Sequence, residues 1–342
     1  MKMLLNNAFL ILLLSFTGCL TVHKTPGGSA LKAFSLSGFA QGTTYHITYY
    51  APDSIVAKKQ IDSLLENIDS SLSIYKPYSL ITSFNNAEKE VQMDKHLKTV
   101  VARSLKISRE TKGVSDITVY PLMALWGFGP IPGAPLPGKA DVEKVLPCVG
   151  SGKLSINGNR LIKALPCLKI DVNGIAQGYS VDVISFMLER KKIHNYLVEL
   201  GGEIKIKGRK YPGKSMLRIG IETPASNIDD APVLRKIIEV KNGAVTTSGN
   251  YRKYHEANGR RVTHLLSPFT GYPFNTDLVS VTVWARDAIT ADAYDNALMG
   301  MGLQGALVFL QRRNDLQAYF IYQDSNGIIR DTATTGFYKM FK

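Results

Sequence analysis

An apolar run, "LVSVTVWA" (278–285), leads into "TADAYDNALMG" (290–300), and this pair constrains the chain most. The first reads as a buried strand and the second as a helix. On that helix Asp292, Asp295 and Asn296 stand at i, i+3 and i+4, spacings that share one face. Ala291, Ala293, Ala297, Leu298 and Met299 surround them, so two anions and an amide oxygen are pressed together in an apolar setting. Hard oxygen ligands of this kind suit Mg²⁺ or Ca²⁺ rather than zinc. A second reading stays open: the acids serve the helix dipole, with Asp287 or Thr290 as N-cap.

The rest of the chain is mixed. "YHITYYA" (45–51) alternates as a strand, and residues 55–68 carry apolar side chains at helical spacing. A second helix covers 95–112 and a third begins near Gly174, while "NYLVELGGEIKIKG" reads as strand, glycine turn and strand. "MLRIGIE", "RKIIEV", "GAVTTSG" and "QAYFIYQ" add further strands. No regular βαβ alternation appears, so the expected class is α+β with a mixed sheet, in one interlocked unit. "GFGPIPGAPLPGKA" (127–140) reads as a long rim or lid loop.

The N-terminus reads as an export signal, with Lys2 before the apolar run "LLNNAFLILLLSFTG", too short for a convincing membrane span. It ends "FTGC", similar to the lipobox of bacterial lipoproteins, with Phe16 where Leu is usual. The expected organisation is a signal peptide over 1–18, lipidation at Cys19, a tether over 19–35 and one domain over 36–342. An ordinary signal peptide with an incidental cysteine is the alternative. Cys148 and Cys167 either pair across a hairpin or stay as separate buried thiols. The formal charge is +13, but Lys and Arg are scattered and the longest basic run is "RKK" (190–192). That pattern argues against a nucleic-acid reader and for a solvated surface with weak steering.

Other stretches carry weaker signals. "IDVNGIAQGYSVD" (170–182) bends from a strand into a helix at Gly174, a place for an anion or a cation-binding carbonyl, or a close-packed turn. "TTSGNYRKY" (246–254) sets hydroxyls and Gly249 beside aromatic and basic residues. "THLLSPFTGYP" (263–273) holds His264, a candidate proton shuttle. None of these matches a nucleophile elbow, a P-loop or a dinucleotide fingerprint.

Taken in order with "GTTY" (42–45), "SIYKPYSLITSFN" (73–85) and "GVSDITVYPLMALWGFG" (113–129), these stretches resemble the ApbE family, the FAD:protein FMN transferases. The likeness runs from about residue 36 to the C-terminus. It implies an α+β fold with FAD in a cleft between lobes, and Mg²⁺ assisting cleavage of the pyrophosphate. FMN passes to a Thr or Ser hydroxyl of an exported redox protein, and AMP leaves. The resemblance also implies a lipid-anchored, periplasm-facing protein of the cell envelope. By position it implies Asp292, Asp295, Asn296 and the Gly174 carbonyl as metal ligands. Gln41, Tyr75, Val114, Ser115, Asp116, Asp171, Gln177, Thr247, Ser248, Gly249 and Leu265 fall at or near the FAD site. The chain departs from the family at Asn296 (commonly Thr), Gln41 (commonly Met), Gln177 (commonly Lys or Glu) and Ser267 (commonly Asp). His264 is the favoured acceptor of the hydroxyl proton. Two alternatives remain: a pyrophosphatase giving FMN and AMP, and a lipoprotein that only binds FAD.

Overall fold

The computed structural model describes residues 30–130, 136–223, 233–250, 254–257 and 260–342. Cys19, the signal stretch and the middle of the 127–140 loop lie outside the described residues.

The chain opens with β1 (Lys32–Ala40), β2 (Thr43–Ala51), α1 (Lys58–Leu72), α2 (Leu80–Asn86), β3 (Glu90–Gln92) and α3 (Lys95–Glu110). Next come α4 (Tyr120–Leu125), α5 (Lys139–Val145), β4 (Leu154–Asn157), β5 (Arg160–Lys163) and α6 (Asn173–Arg190). Then follow β6 (Tyr196–Leu200), β7 (Glu203–Lys207), β8 (Leu217–Thr223), β9 (Val233–Val240), β10 (Asn242–Gly249), β11 (Tyr254–Ala257) and β12 (Arg260–Thr263). The chain closes with β13 (Leu278–Ala285), α7 (Ala288–Leu310), β14 (Gln317–Gln323), β15 (Ile329–Ala333) and α8 (Thr335–Tyr338).

The main sheet runs β1-β2-β6-β7-β10-β13-β14-β15, so its strands are laid down in chain order. Each neighbouring pair is antiparallel. The class is α+β, as expected from the sequence, while the sheet expected to be mixed is antiparallel at each of these pairings, because consecutive strands return through hairpins or across helices on one face. Alternation explains β2: Tyr45, Ile47 and Tyr49 are buried while His46 is exposed. Strand β13 is almost wholly buried, because both faces of the sheet are covered.

On one face lie α1, α3, α6 and α7, packed in the principal core with Ile61, Leu65, Leu97, Val100, Ile184 and Leu298. Strands β8 and β9 form a hairpin that covers the other face, with Ile206, Ile219, Ile238, Val245, Ile321 and Phe337 between. A smaller cluster gathers Leu122, Trp126, Val142, Val149, Val262 and Leu266. Helix α7 is apolar nearly all round because sheet and α6 enclose it. It is interrupted at Gly302, whose φ of 68° suits glycine.

Two particulars differ from the sequence reading or resolve it. β1 starts at Lys32, inside the stretch assigned to the tether, and its Phe34 and Leu36 pack against the core. Cys148 and Cys167 are disulfide-bonded, with Cα atoms 5.5 Å apart, across the β4–β5 hairpin.

Candidate active site

Helices α6 and α7 make the floor of a cleft, and their contact begins with glycine. A Cβ at Gly178 would lie 2.7 Å from the Ala288 carbonyl carbon and from Asp292 Cβ, so only glycine permits this approach. The Gly178 N–H, in a regular helix the donor to the Gly174 carbonyl, donates to Asp292 Oδ2 at 2.8 Å. One turn on, Asp182 accepts from the backbone N–H groups of Ala288 (3.0 Å) and Ile289 (2.9 Å) and from Lys205 Nζ (2.8 Å). Asp287 is the N-cap of α7, accepting from Thr290 N–H at 3.0 Å. The first turn of α7 is thus capped by Asp287 and Asp182, which leaves Asp292 and Asp295 for the cleft.

Both cleft acids are buried, Asp292 at 4 % and Asp295 at 2 % exposure. Asp295 Oδ1 has no hydrogen-bond partner among the described residues. Burial above all, then the Asp292 charge, and further Glu203, push the Asp295 carboxyl well above the usual carboxylate range. Asn296 Oδ1 accepts from Ser248 Oγ at 2.9 Å, while its Nδ2 donates to the Asp292 carbonyl at 3.2 Å. The same Nδ2 lies 3.2 Å from where a Gly174 Cβ would be, so Gly174 and Asn296 face each other.

The cleft has a volume of about 250 Å³. It brings together Val114, Ser115, Asp116, Asp171, Gly174, Gln177, Thr247, Ser248, Gly249, His264, Leu265, Asp292, Asp295 and Asn296. Several are held by their own backbone. Asp116 caps a short turn: Oδ1 accepts from Thr118 N–H and Oγ1, and Oδ2 from Ser151 N–H at 2.8 Å. Asp171 Oδ1 accepts from Asn173 N–H at 2.8 Å where α6 begins. Thr247 and Thr282 hydroxyls are 2.9 Å apart across β10 and β13. The His264 ring meets Phe128 edge-on at 6.3 Å. Ser267 accepts from the N–H groups of Phe269 and Thr270 and shapes the turn after His264.

Gln41 and Tyr75 do not line this cleft. Gln41 sits in the β1–β2 turn at φ 54° and donates from Nε2 to Ser180 Oγ at 2.9 Å. Tyr75 is 59 % exposed, and its hydroxyl accepts from Asn173 Nδ2 at 3.4 Å, just outside the cleft wall. Sequence reasoning passed over Glu203, Asn173, Met123 and Phe274, which do line it. Glu203 had a signal, since it follows the Gly201–Gly202 turn of "LGGE".

The donor set suits a hard divalent cation. Among the described residues no three His, Cys, Asp or Glu side chains gather in metal-binding fashion. The candidate set is two carboxylates, an amide oxygen and a backbone carbonyl, the oxygen chemistry that Mg²⁺ accepts. Two buried acids side by side, one with an unpartnered oxygen, are destabilising without a cation.

The cleft thus sets buried carboxylates beside Gly174, Gly201 and Gly249 at one end of this antiparallel α+β framework. The chain belongs to the ApbE family, whose profile it matches over residues 41–320. Among its relatives, the FAD:protein FMN transferase of Haemophilus influenzae is 34% identical, with 89% of this chain and 90% of that one aligned. The enzyme of the same name from Vibrio cholerae is 36% identical, over 88% and 91% of the two chains. The solved flavin transferase ApbE from Vibrio cholerae superposes with a TM-score of 0.81 at 33% identity, covering 91% of this chain and 99% of that one. The apo flavinyl transferase ApbE of Pseudomonas stutzeri gives 0.81 at 35% identity, over 91% and 98%.

Proposed function

We propose that the chain is an FAD:protein FMN transferase that works with Mg²⁺ and modifies a Thr or Ser hydroxyl of an exported redox protein. The observation that carries this is the buried Asp292–Asp295 pair, with Asp295 Oδ1 lacking a partner among the described residues. Asp292, Asp295, Asn296 and the Gly174 carbonyl would hold the ion. An ion held there would supply positive charge to offset that of a pyrophosphate.

The chain's own residues do the rest by positioning. Asp171 Oδ1 holds the Asn173 N–H at the bend into α6 and so fixes the wall of the cleft beside Gly174. Thr247 offers a hydroxyl from β10 while Ser248 holds Asn296 in place, and Val114 and Leu265 give apolar surface for a flat ring. The acceptor hydroxyl oxygen forms a bond to the FMN phosphorus as the pyrophosphate P–O bond breaks, and AMP departs with the bridging oxygen. His264 takes the hydroxyl proton. The nucleophile belongs to the acceptor, so the cleft needs none.

The N-terminal sequence supports a lipid-anchored location, with Cys19 modified and the domain facing the periplasm. The deciding experiment mixes the chain with FAD, Mg²⁺ and a Thr-containing acceptor domain, with and without EDTA. The expected outcome is a metal-dependent acceptor mass gain of one FMN, with AMP. AMP without labelling would make the protein a pyrophosphatase. FAD binding with neither product would make it a carrier.

A further inference from the structure

The cleft and the point where the chain enters the fold lie at opposite ends of the main sheet. At the cleft end stand the β6–β7 turn, where Leu200 pairs with Glu203, and Gly249 at the end of β10. At the other end Tyr196 pairs with Lys207, Tyr49 with Tyr196, and Lys32 with Ala51. Residues 1–29 therefore join the fold away from the cleft. β1 and β2 have nine residues each, and nine such residues span roughly 30 Å.

Three segments meet at this entry end. The Tyr50 N–H donates to the Asn195 carbonyl at 2.9 Å, and the Arg209 N–H to Asn195 Oδ1 at 3.0 Å. Tyr50 and Tyr211 rings lie 6.1 Å apart, and Lys191 Nζ donates to the Ile55 carbonyl at 3.1 Å. Lys191, Lys192, Arg209, Lys210 and Lys214 are thus drawn from distant stretches to one end, beside Lys32. All except the half-buried Lys191 are exposed, and none forms an ion pair among the described residues. Residues 51–57, 191–195 and 208–216 contain one carboxylate, Asp53.

We infer that this basic end docks on an anionic phospholipid surface and turns the cleft away from it. Charge complementarity favours phosphate headgroups. So does the entry point: from Cys19 to Leu31 the chain reaches at most about 45 Å. A lipid attached at Cys19 therefore holds this end within about 45 Å of the bilayer, and the basic side chains set which face meets it. The docking surface is separate from the transfer chemistry.

The test uses the full chain on vesicles of phosphatidylcholine alone or mixed with phosphatidylglycerol. Flotation reads attachment, and lysine acetylation mapped by mass spectrometry reads the docked face. On mixed vesicles Lys32, Lys191, Lys192, Lys210 and Lys214 are acetylated about threefold less or lower still than on phosphatidylcholine, while Lys112 and Lys139 are unchanged. The protection disappears at about 0.5 M salt. Substituting Lys191→Glu, Lys192→Glu, Lys210→Glu and Lys214→Glu removes the salt-sensitive part of binding and leaves FMN transfer from soluble FAD to a soluble acceptor domain intact. Flotation on both lipids with identical acetylation would overturn the docking surface and leave the anchor standing. No flotation on either would overturn both.

Discussion

The backbone N–H of Gly178 donates to Asp292 Oδ2 at 2.8 Å, so the turn that opens one helix fixes a candidate ligand on the other. Substituting Gly178→Ala drives a methyl into the Ala288 carbonyl and Asp292. The expected cost is about 2–3 kcal/mol, measured by denaturant unfolding, together with weaker stabilisation by Mg²⁺.

Asp295→Asn removes one of two buried neighbouring charges. A carboxyl whose folded pKa is raised destabilises the fold once pH exceeds its ordinary range, so removing the charge helps the metal-free chain. The Tm in EDTA at neutral pH should rise by a few degrees, roughly the effect of 1 kcal/mol. The same variant should lose the Tm increase on adding Mg²⁺, and FMN transfer should fall at least about a hundredfold. An unchanged Mg²⁺ response would remove Asp295 from the ligand set.

His264 lines the cleft beside Leu265. If it accepts the hydroxyl proton, His264→Ala should slow transfer by about 10²–10⁴-fold near neutral pH with FAD affinity little changed. Near-normal turnover across neutral pH would show that another group takes the proton.

Behind α7, Glu110 accepts from Arg313 at 3.0 Å and from the Tyr294 hydroxyl. Burial works to raise its pKa, but the hydrogen bonds from Tyr294 and Arg313 outweigh it and leave the carboxyl below its ordinary range. A lowered carboxylate pKa contributes stability above the unfolded value and loses it as pH falls through the folded value. Glu110→Gln should therefore cost about 1–2 kcal/mol at pH 7 and nothing once the wild-type carboxyl is protonated. Urea titrations at neutral and acid pH separate the two.

The Cys148–Cys167 bond closes a loop with a sequence separation of 19. Replacing both cysteines by alanine should lower stability by about 3 kcal/mol. The β4–β5 hairpin should then exchange its amide hydrogens faster than β10 or β13.

Local pattern was enough for the elements that surround the cleft. The apolar spacing of Ile61, Leu65 and Ile68 marks α1, and the alternation of Tyr45, Ile47 and Tyr49 marks β2. Asp292, Asp295 and Asn296 could be placed on one face because helical spacing is a local property. Side-chain type alone makes these three an all-oxygen donor set.

Other features depend on partners far away in the chain. Asp182 caps a helix more than a hundred residues downstream, and Ser248 meets Asn296 only because β10 lies under α7. Glu203 reads as a hairpin residue until the sheet carries it into the cleft beside Asp295. Gln41 and Tyr75 are placed at the edge of the cleft wall by contacts with Ser180 and Asn173 of α6, which no local pattern reveals. The pairing of Cys148 with Cys167 and the gathering of lysines at the entry end follow from the same long-range contacts. Residue order alone sets which side chains are available and which share a local face. Tertiary structure decided which of them meet, because burial and charge coupling arise only when distant segments exclude water together.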